Sequence, residues 1–241
     1  MRGPNCYNVA LINQKVLTQL SFTSFPEFKF YLNHLFQAIP PLEQLQPGDM
    51  GVIFEPIHRH PSVNPPVHAF TYISGDLIFE KGGTEAHDPL QFDSYDVVAE
   101  DYGIPDFSTW LVLYRRIPDK SIQRFASSED ERAIFKNFMN QIEEASHAIY
   151  LAALSHENEP QKIQDLLNQI KLVIDQIDIG AIKTPILIQA LLHRIESISQ
   201  DQEVWESSPA HLEQTRLLHS VKRSFQKMKT QYQVPSADSW P

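Results

Sequence analysis

The spacing of apolar residues changes once along the chain, from short interrupted runs to long stretches with a helical period. Before residue 118 the runs are broken by turn-forming residues: seven of the eight glycines lie at or before Gly103, and twelve of the seventeen prolines at or before Pro118. Beyond Pro118, apolar residues recur every three to four positions, which is the period of an amphipathic helix. The pattern predicts an α+β domain at residues 1–120 and an all-α region, a helical bundle or cap, at residues 121–235.

Two helices followed by four or five antiparallel strands are predicted for the first part. The stretch CYNVALINQKVL has apolar residues three to four positions apart and predicts a helix that opens at Asn5 or Cys6. A second helix is predicted over residues 21–39, with Ser24 as its N-cap. Strands are predicted in PGDMGVIFEP, on both sides of a tight turn at residues 74–76, in YDVVAEDY and in TWLVLYRRI.

Three or four helices are predicted for the second part. Ser128 followed three residues later by Glu131 predicts a capping box at the start of the first of them, and Pro185 is predicted at the first position of a later one. The helical stretches are residues 127–154, 160–177, 184–198 and 208–232. We expect this region to cover the first domain, and a role in binding a protein partner stays open.

Composition and charge narrow the possible functions. The net charge is -10 and the isoelectric point about 5.4, which argues against a nucleic acid or an anionic membrane surface as partner. No stretch of 18 apolar residues exists, so no membrane span is predicted. The single cysteine excludes an intrachain disulfide framework and a multi-cysteine metal site. No signal peptide is visible in the sequence, and localisation stays open between the cell interior and a periplasmic or secreted protein whose upstream signal peptide has been removed, the favoured alternative.

The only cysteine stands where a helix is predicted to begin. The unpaired N–H groups of a helix start favour a thiolate and can also hold an oxyanion, so Cys6 is a candidate nucleophile. His68 lies in the predicted strand HAFTYI, and Glu80 follows twelve residues later across the predicted hairpin; these are the candidate base and its orienting group. We expect the strand face with His68, Phe70 and Tyr72 to pack on the first helix, because Phe70 is bulky.

Two other groups of polar residues are candidates for a metal site or an acid–base site. His58 and His60 form a His-x-His pair that His68 would complete as a zinc site, but the loop is rich in proline and no carboxylate is near, so no metal is predicted and a solvated loop is the alternative. The acidic run AHDPLQFDSYDVVAEDYGIPD is irregularly spaced and predicts a solvated surface. No Gly-rich phosphate loop and no G-x-S-x-G elbow is present, and no cofactor is predicted.

The ordered motifs GPNCYN, LQPGDMGVIF and HAFTYISGDLIFEKGG, over about residues 3–118, resemble the NlpC/P60 superfamily of papain-like cysteine hydrolases. Within it, the chain is similar to a group of bacterial proteins that open with GPNC[WY]N. The resemblance implies a papain-like helix and antiparallel sheet, with Cys6 as nucleophile, His68 as general base and Glu80 as third member. The family's third residue is usually His, Asn or Gln, and its cysteine motif is usually Asp-Cys-Ser-Gly. A register shift of one residue would exchange Glu80 for Lys81.

The superfamily mostly cleaves the peptide stems of bacterial cell walls. The resemblance therefore implies a cysteine amidase or endopeptidase that acts on peptidoglycan peptides through an acyl-enzyme. Asn5, Tyr7 and Tyr72 are expected to line the cleft, with Asn5 near the oxyanion; packing is the alternative role of the two tyrosines. Two other functions stay open, a catalytically inactive binding or scaffold protein with this fold and a related thiol acyltransferase.

Overall fold

The computed structural model describes residues 3–40, 43–55, 64–85, 87–102, 110–118, 128–154 and 184–202, together with the separate positions 165, 168, 169, 171, 172, 182 and 223. These residues form a mixed α+β fold with one six-stranded antiparallel sheet and five helices, which confirms the predicted class. The expected helix at residues 208–232 lies outside the described residues except for Arg223, which is helical.

The two predicted N-terminal helices are present, and both are shorter than expected. Helix α1 spans Cys6–Asn13 with Asn5 as its N-cap. Helix α2 spans Phe25–Leu35, and the Ser24 hydroxyl caps it by accepting the Glu27 N–H at 3.4 Å. The sequence predicts that α2 continues to residue 39, but the extended backbone of Phe36 ends the helix, and strand β1 begins there.

The strands are β1 (Phe36–Ala38), β2 (Met50–Phe54), β3 (Pro66–Ser74), β4 (Leu77–Lys81), β5 (Leu90–Ser94) and β6 (Leu111–Arg116), in the sheet order β1-β6-β2-β3-β4-β5. The tight turn between β3 and β4 is confirmed, and its Gly75 has a φ of +59°, a backbone conformation that glycine adopts without a steric penalty. The register places Ile53 of β2 opposite His68 and Gln91 of β5 opposite Glu80. Strands β3 and β4 pair Thr71 with Phe79 and Tyr72 with Ile78, so His68 and Glu80 lie on neighbouring strands.

The prediction of a strand at YDVVAEDY is wrong, because these residues form helix α3, Tyr95–Tyr102. Its buried face carries Tyr95, Val98 and Tyr102, which pack against Ile53, Phe70 and Ile78 of the sheet. The expectation that Phe70 packs on the first helix is also wrong, because α3 covers the face of β3 that carries Phe70. Helix α1 lies on the other side of β3: Ala69 shares a core with Ala10 and Leu11, and Asn13 Nδ2 donates to Thr71 Oγ1 at 3.0 Å.

A glycine of β2 allows Phe70 to approach the neighbouring strand. A Cβ atom at Gly51 would lie 2.1 Å from Cζ of Phe70, a distance that real Cβ contacts do not reach. The ring therefore occupies the space that any other residue at position 51 would fill.

Helices α4 (Glu129–Leu154) and α5 (Pro185–Gln202) occupy two of the predicted C-terminal helical stretches. Ser128 accepts the Glu131 N–H at 3.1 Å, and the Glu131 carboxylate in turn accepts the N–H of Thr184 at 2.7 Å, just before α5. Within the predicted helix at 160–177, the described positions 165, 168, 169, 171 and 172 are helical. An all-α region over 121–235 and a boundary at residue 120 stay predictions.

The described parts of α4 and α5 share one hydrophobic core with α1, α2 and the sheet. Phe135, Ile142, Leu187 and Leu191 are at most 3% exposed in this core. Among the described residues, no helix combines the length and the apolar character that a bilayer crossing requires. The helices of the second part are therefore packed directly against the elements that carry the candidate site.

Candidate active site

The start of α1 is held by a buried asparagine. Asn5 Oδ1 accepts the N–H groups of Asn8 at 3.1 Å and Thr23 at 3.3 Å, while its Nδ2 donates to the Thr23 carbonyl at 2.7 Å. Asn8 adds a second tie, because its Oδ1 accepts the Ser21 N–H at 3.1 Å. The amide of Asn5 thus caps the helix and fastens it to Thr23, while its expected place near the oxyanion stays a prediction.

The capping leaves two donors at the helix start. The Asn5 carbonyl accepts the Val9 N–H at 3.1 Å, and the Asn5 side chain takes that of Asn8. Within the described part of the chain, the N–H groups of Cys6 and Tyr7 meet no acceptor, as is usual in a first helical turn. They are available to a negatively charged oxygen beside the thiol.

The structure brings Cys6, His68 and Glu80 together. Cys6 lies near enough to His68 for its charge to raise the pKa of the ring, and Nε2 of His68 lies 2.5 Å from Oε2 of Glu80. The other carboxylate oxygen of Glu80 accepts Nε2–H of Gln91 at 3.1 Å. The three side chains are 6%, 1% and 3% exposed. The candidate nucleophile, base and orienting acid are therefore neighbours with little access to water.

The charges in this cluster support one another. Burial alone would lower the pKa of His68, but the charge of the nearby Cys6, together with the hydrogen bond and charge of Glu80, raises it to about 9. Burial raises the pKa of Glu80, but the hydrogen bond and charge of His68 outweigh it and hold that pKa below its usual value. Both shifts favour an imidazolium at His68 beside a carboxylate at Glu80.

The structure places Glu80, and not Lys81, at His68. The buried Lys81 points to the loop after β4, where its Nζ donates to the carbonyls of Glu85 at 2.7 Å and Asp88 at 3.0 Å. Burial lowers the pKa of Lys81, and the charges of Asp88 and Cys6 oppose this shift. The ammonium thus adds positive charge near Cys6, while Glu80, and not Lys81, contacts His68.

Tyr102 of α3 is a site residue that the sequence reasoning missed. Its hydroxyl lies 2.7 Å from Nδ1 of His68, and the two rings are 4.8 Å apart. Burial and the charges of Cys6 and Glu80 raise the pKa of Tyr102, so its hydroxyl stays protonated. A signal was present in the sequence: Tyr95, Val98 and Tyr102 are spaced three and four apart, as on one face of a helix.

The two tyrosines expected to line the cleft lie in different places. Tyr7 is next to the thiol, half-buried, with its ring stacked on Phe28 at 4.4 Å and its hydroxyl donating to the Pro66 carbonyl. Burial, followed by the charge of Cys6, raises its pKa. Tyr72 is four residues beyond His68 on β3, about 13 Å along a strand, and its ring faces Tyr95 at 6.3 Å. Of the two, Tyr7 is the one beside the reactive group.

The segment that fastens α1 is itself held by α5. Arg194 donates to the Phe22 carbonyl, to the Ser21 hydroxyl and to Glu27, and Ser197 Oγ donates to the Phe22 carbonyl at 2.9 Å while accepting the Ser24 N–H at 2.9 Å. Arg194 and Glu27 are both completely buried. A helix more than 170 residues away in sequence therefore supports the cap of the cysteine helix.

The candidate zinc site lies mostly outside the described residues, because His58 and His60 are not among them. Within the described ranges, no group of three or more His, Cys, Asp and Glu side chains is arranged to hold a metal ion. His68 is engaged by Glu80 and Tyr102. The residues that are described here fit acid–base and thiol chemistry.

Comparison with known proteins adds no assignment: no protein-family model, no curated protein sequence and no solved structure matches this chain.

Proposed function

We propose that this protein is a cysteine hydrolase of the papain-like NlpC/P60 type, an amidase or endopeptidase that acts on bacterial cell-wall peptides. The observation that carries the proposal is the place of Cys6 at the start of α1, near His68, whose Nε2 lies 2.5 Å from Oε2 of the buried Glu80. Nucleophile, base and orienting group in contact are the signature of covalent acyl transfer. The substrate class follows from the motif resemblance.

The first chemical step is acylation of the thiolate. Cys6 Sγ attacks the carbonyl carbon of the scissile amide, a C–S bond forms, and the electron pair of the carbonyl bond moves to its oxygen. The N–H groups of Cys6 and Tyr7 are placed to stabilise that oxyanion. On collapse the C–N bond breaks, and the imidazolium of His68 gives its proton to the leaving amine.

The second step releases the product. Neutral His68 takes a proton from a water molecule, whose oxygen attacks the thioester carbon, and the thiolate leaves as the C–S bond breaks. The carboxylate of Glu80, 2.5 Å from Nε2, stabilises each imidazolium state and fixes the orientation of the ring. No cofactor is required for either step.

Thiol labelling tests the reactive pair directly, because Cys6 is the only cysteine. We expect iodoacetamide at pH 7 to alkylate Cys6 in the folded protein faster than in the urea-unfolded chain, despite its 6% exposure, and His68→Ala to remove that excess. Slower labelling in the folded protein would contradict the proposal. Peptidoglycan stem peptides then test the substrate: wild type should release new amines, and Cys6→Ser should be inactive by about a thousandfold or more.

A non-catalytic binding protein is the second candidate function, and the contact of Tyr102 favours it. With Nε2 at Glu80 and Nδ1 at Tyr102, both ring nitrogens of His68 already have an oxygen partner. An imidazole held in this way is less free to exchange a proton with a thiol. Unreactive Cys6 in wild type, with normal reactivity after unfolding, would support this function over the hydrolase.

A further inference from the structure

A cavity lies at the opposite end of α1 from Cys6. It has a volume of about 310 Å³ and lies between the end of α1, helix α2, strand β6 and helix α4. Because α1 has eight residues, its two ends are about 12 Å apart. Its apolar wall is formed by Val16, Leu35, Phe135 and Met139. The cavity is thus separate from the cysteine site and partly hydrophobic.

Three cations line the same cavity, Lys15, Arg116 and Lys136. Within the described ranges, no carboxylate lies within ion-pair distance of any of them. Arg116 is held in place because its Nη1 donates to the Gln14 carbonyl.

The one acidic side chain in the cavity is already engaged. Oε2 of Glu143 accepts the Thr18 hydroxyl at 2.6 Å and the Thr18 N–H at 3.2 Å. Glu143 therefore holds the segment after α1 in place, and the cavity keeps an excess of positive charge.

The backbone at Lys15 also indicates that its side chain is needed. Lys15 follows the C-cap of α1 with a φ of +56°, the only non-glycine residue in the described ranges with a positive φ. Glycine is the usual residue at this position after a helix because it has no Cβ penalty there. The chain instead keeps a lysine in a strained conformation, at the edge of a cavity that contains two further cations.

We propose that this cavity binds a small amphipathic anion, with its carboxylate or phosphate head at Lys15, Arg116 and Lys136 and its apolar part against the hydrophobic wall. A volume of about 310 Å³ corresponds to roughly ten non-hydrogen atoms at the packing of a liquid, a ligand the size of a medium-chain acid. The proposal is independent of the hydrolase function, because none of these residues contacts Cys6, His68 or Glu80 within the described contacts.

The test is titration calorimetry of the full chain with octanoate and octyl phosphate as anionic probes. Octan-1-ol and octylammonium have the same tail with a neutral and a positive head. We expect saturable binding of at least one anionic probe at a ratio of one to one, and no saturable binding of octylammonium. Whichever anion binds more tightly identifies the head group that the cavity accepts.

Lys15→Gly is the most informative variant, because it removes the ammonium and relieves the strained backbone together. We expect it to weaken binding by about fivefold while the melting temperature stays equal or rises, so that a loss of binding cannot be attributed to unfolding. Lys136→Gln should weaken binding similarly. Lys29→Gln is the control, since Lys29 lies over the ring of Phe25, away from the cavity.

Three results would overturn the proposal: no binding of either anionic probe, equal binding of octan-1-ol and octanoate, or an equal loss of affinity in Lys29→Gln and Lys15→Gly. Labelling of Cys6 in the same variants separates this site from the hydrolase site, because we expect its rate to be unchanged.

Discussion

Two buried ionic clusters in this protein have opposite characters. In one, Arg194 and Glu27 are completely buried, and the guanidinium also donates to the Phe22 carbonyl and the Ser21 hydroxyl. In the other, His68 joins Glu80, Tyr102 and the thiol of Cys6. The first is built around a cation that keeps its proton throughout the ordinary pH range. The second is built around an imidazole, whose proton can be transferred.

The comparison separates the scaffold from the chemistry. Arg194 binds backbone and hydroxyl oxygens of the segment that fastens Asn5 and Asn8, so it fixes a position. His68 contacts Glu80 and Tyr102, side chains that can each carry a proton, so these contacts influence the protonation of its ring. Because the segment at residues 21–24 contacts both α5 and the start of α1, the first cluster supports the second.

The largest effect is expected from breaking the scaffold cluster. Arg194→Met leaves the buried carboxylate of Glu27 without its cation, and we expect a loss of about 3–5 kcal/mol in the free energy of unfolding, measured by urea denaturation. Burial raises the pKa of Glu27, and Arg194 opposes this shift; part of the loss should therefore be recovered at low pH, where the carboxyl group can take up a proton.

Two further variants show whether burial is the cause. The double variant Glu27→Leu with Arg194→Met removes both charges and should recover most of the lost stability. Arg132→Gln removes a cation from an exposed pair with Glu129, whose 3.8 Å contact lies on the surface of α4, and should cost at most about 0.5 kcal/mol. Equal losses in Arg194→Met and Arg132→Gln would refute a special role of the buried pair.

The next largest effect is expected from a substitution of Glu80, the carboxylate that contacts His68. Glu80→Gln keeps a hydrogen-bond acceptor at His68 but removes its negative charge, so the pKa of His68 should fall from its value of about 9. NMR titration, with the ring assigned by comparison with His68→Ala, measures the fall. Hydrolysis should decrease about a hundredfold.

Asp93→Asn is the matched control for that variant. Asp93 accepts a hydrogen bond from Gln91 at 3.0 Å, next to the bond from Gln91 to Glu80, and it does not contact His68. An unchanged pKa of His68 in Glu80→Gln, or an equal change in Asp93→Asn, would mean that Glu80 is not the orienting acid.

The pH dependence of hydrolysis follows from the raised pKa of His68. Protonation of the leaving amine needs the imidazolium, which is lost as the pH rises through about 9. The value of kcat/KM should therefore fall about tenfold per pH unit above that point. Alkylation by iodoacetamide needs only the thiolate and should not fall there. A parallel decline of both rates would indicate unfolding rather than loss of the acid.

The smallest effect is expected at Tyr102. Tyr102→Phe frees Nδ1 of His68, and we expect the labelling rate of Cys6 at pH 7 to rise about threefold, a change worth less than one ordinary hydrogen bond. Tyr95→Phe is the control on the same helix, because in the described structure the hydroxyl of Tyr95 has no hydrogen-bond partner. A large decrease in Tyr102→Phe would instead make Tyr102 a positioning residue for the base.

The sequence predicts the reactive cluster better than it predicts its surroundings. Cys6, His68 and Glu80 are of residue types that can carry chemistry, and they stand at a helix start and across a tight hairpin, so local rules place them. Tyr102 was missed because the β-branched and aromatic residues of YDVVAEDY suggested a strand. The three-four spacing of Tyr95, Val98 and Tyr102 decides for a helix once the sheet offers an apolar face to cover.

Long-range contacts could not be predicted from one sequence. The bond from Arg194 to the Ser21 hydroxyl joins residues 173 positions apart, and no local pattern encodes it. The packing of Phe70 failed as a prediction because bulk alone does not tell which of two helices covers a strand face; α3 covers it, and α1 takes the face with the small Ala69.

The contact between Gly51 and Phe70 has a consequence for the evolution of this fold. Since a Cβ at position 51 would lie 2.1 Å from the ring, the two positions share one fixed volume across β2 and β3. Divergent chains with this sheet should exchange that volume between the two sites, with a small residue at one wherever the other is large. Such a covarying pair would identify distant relatives even after their motifs around the cysteine and histidine have changed.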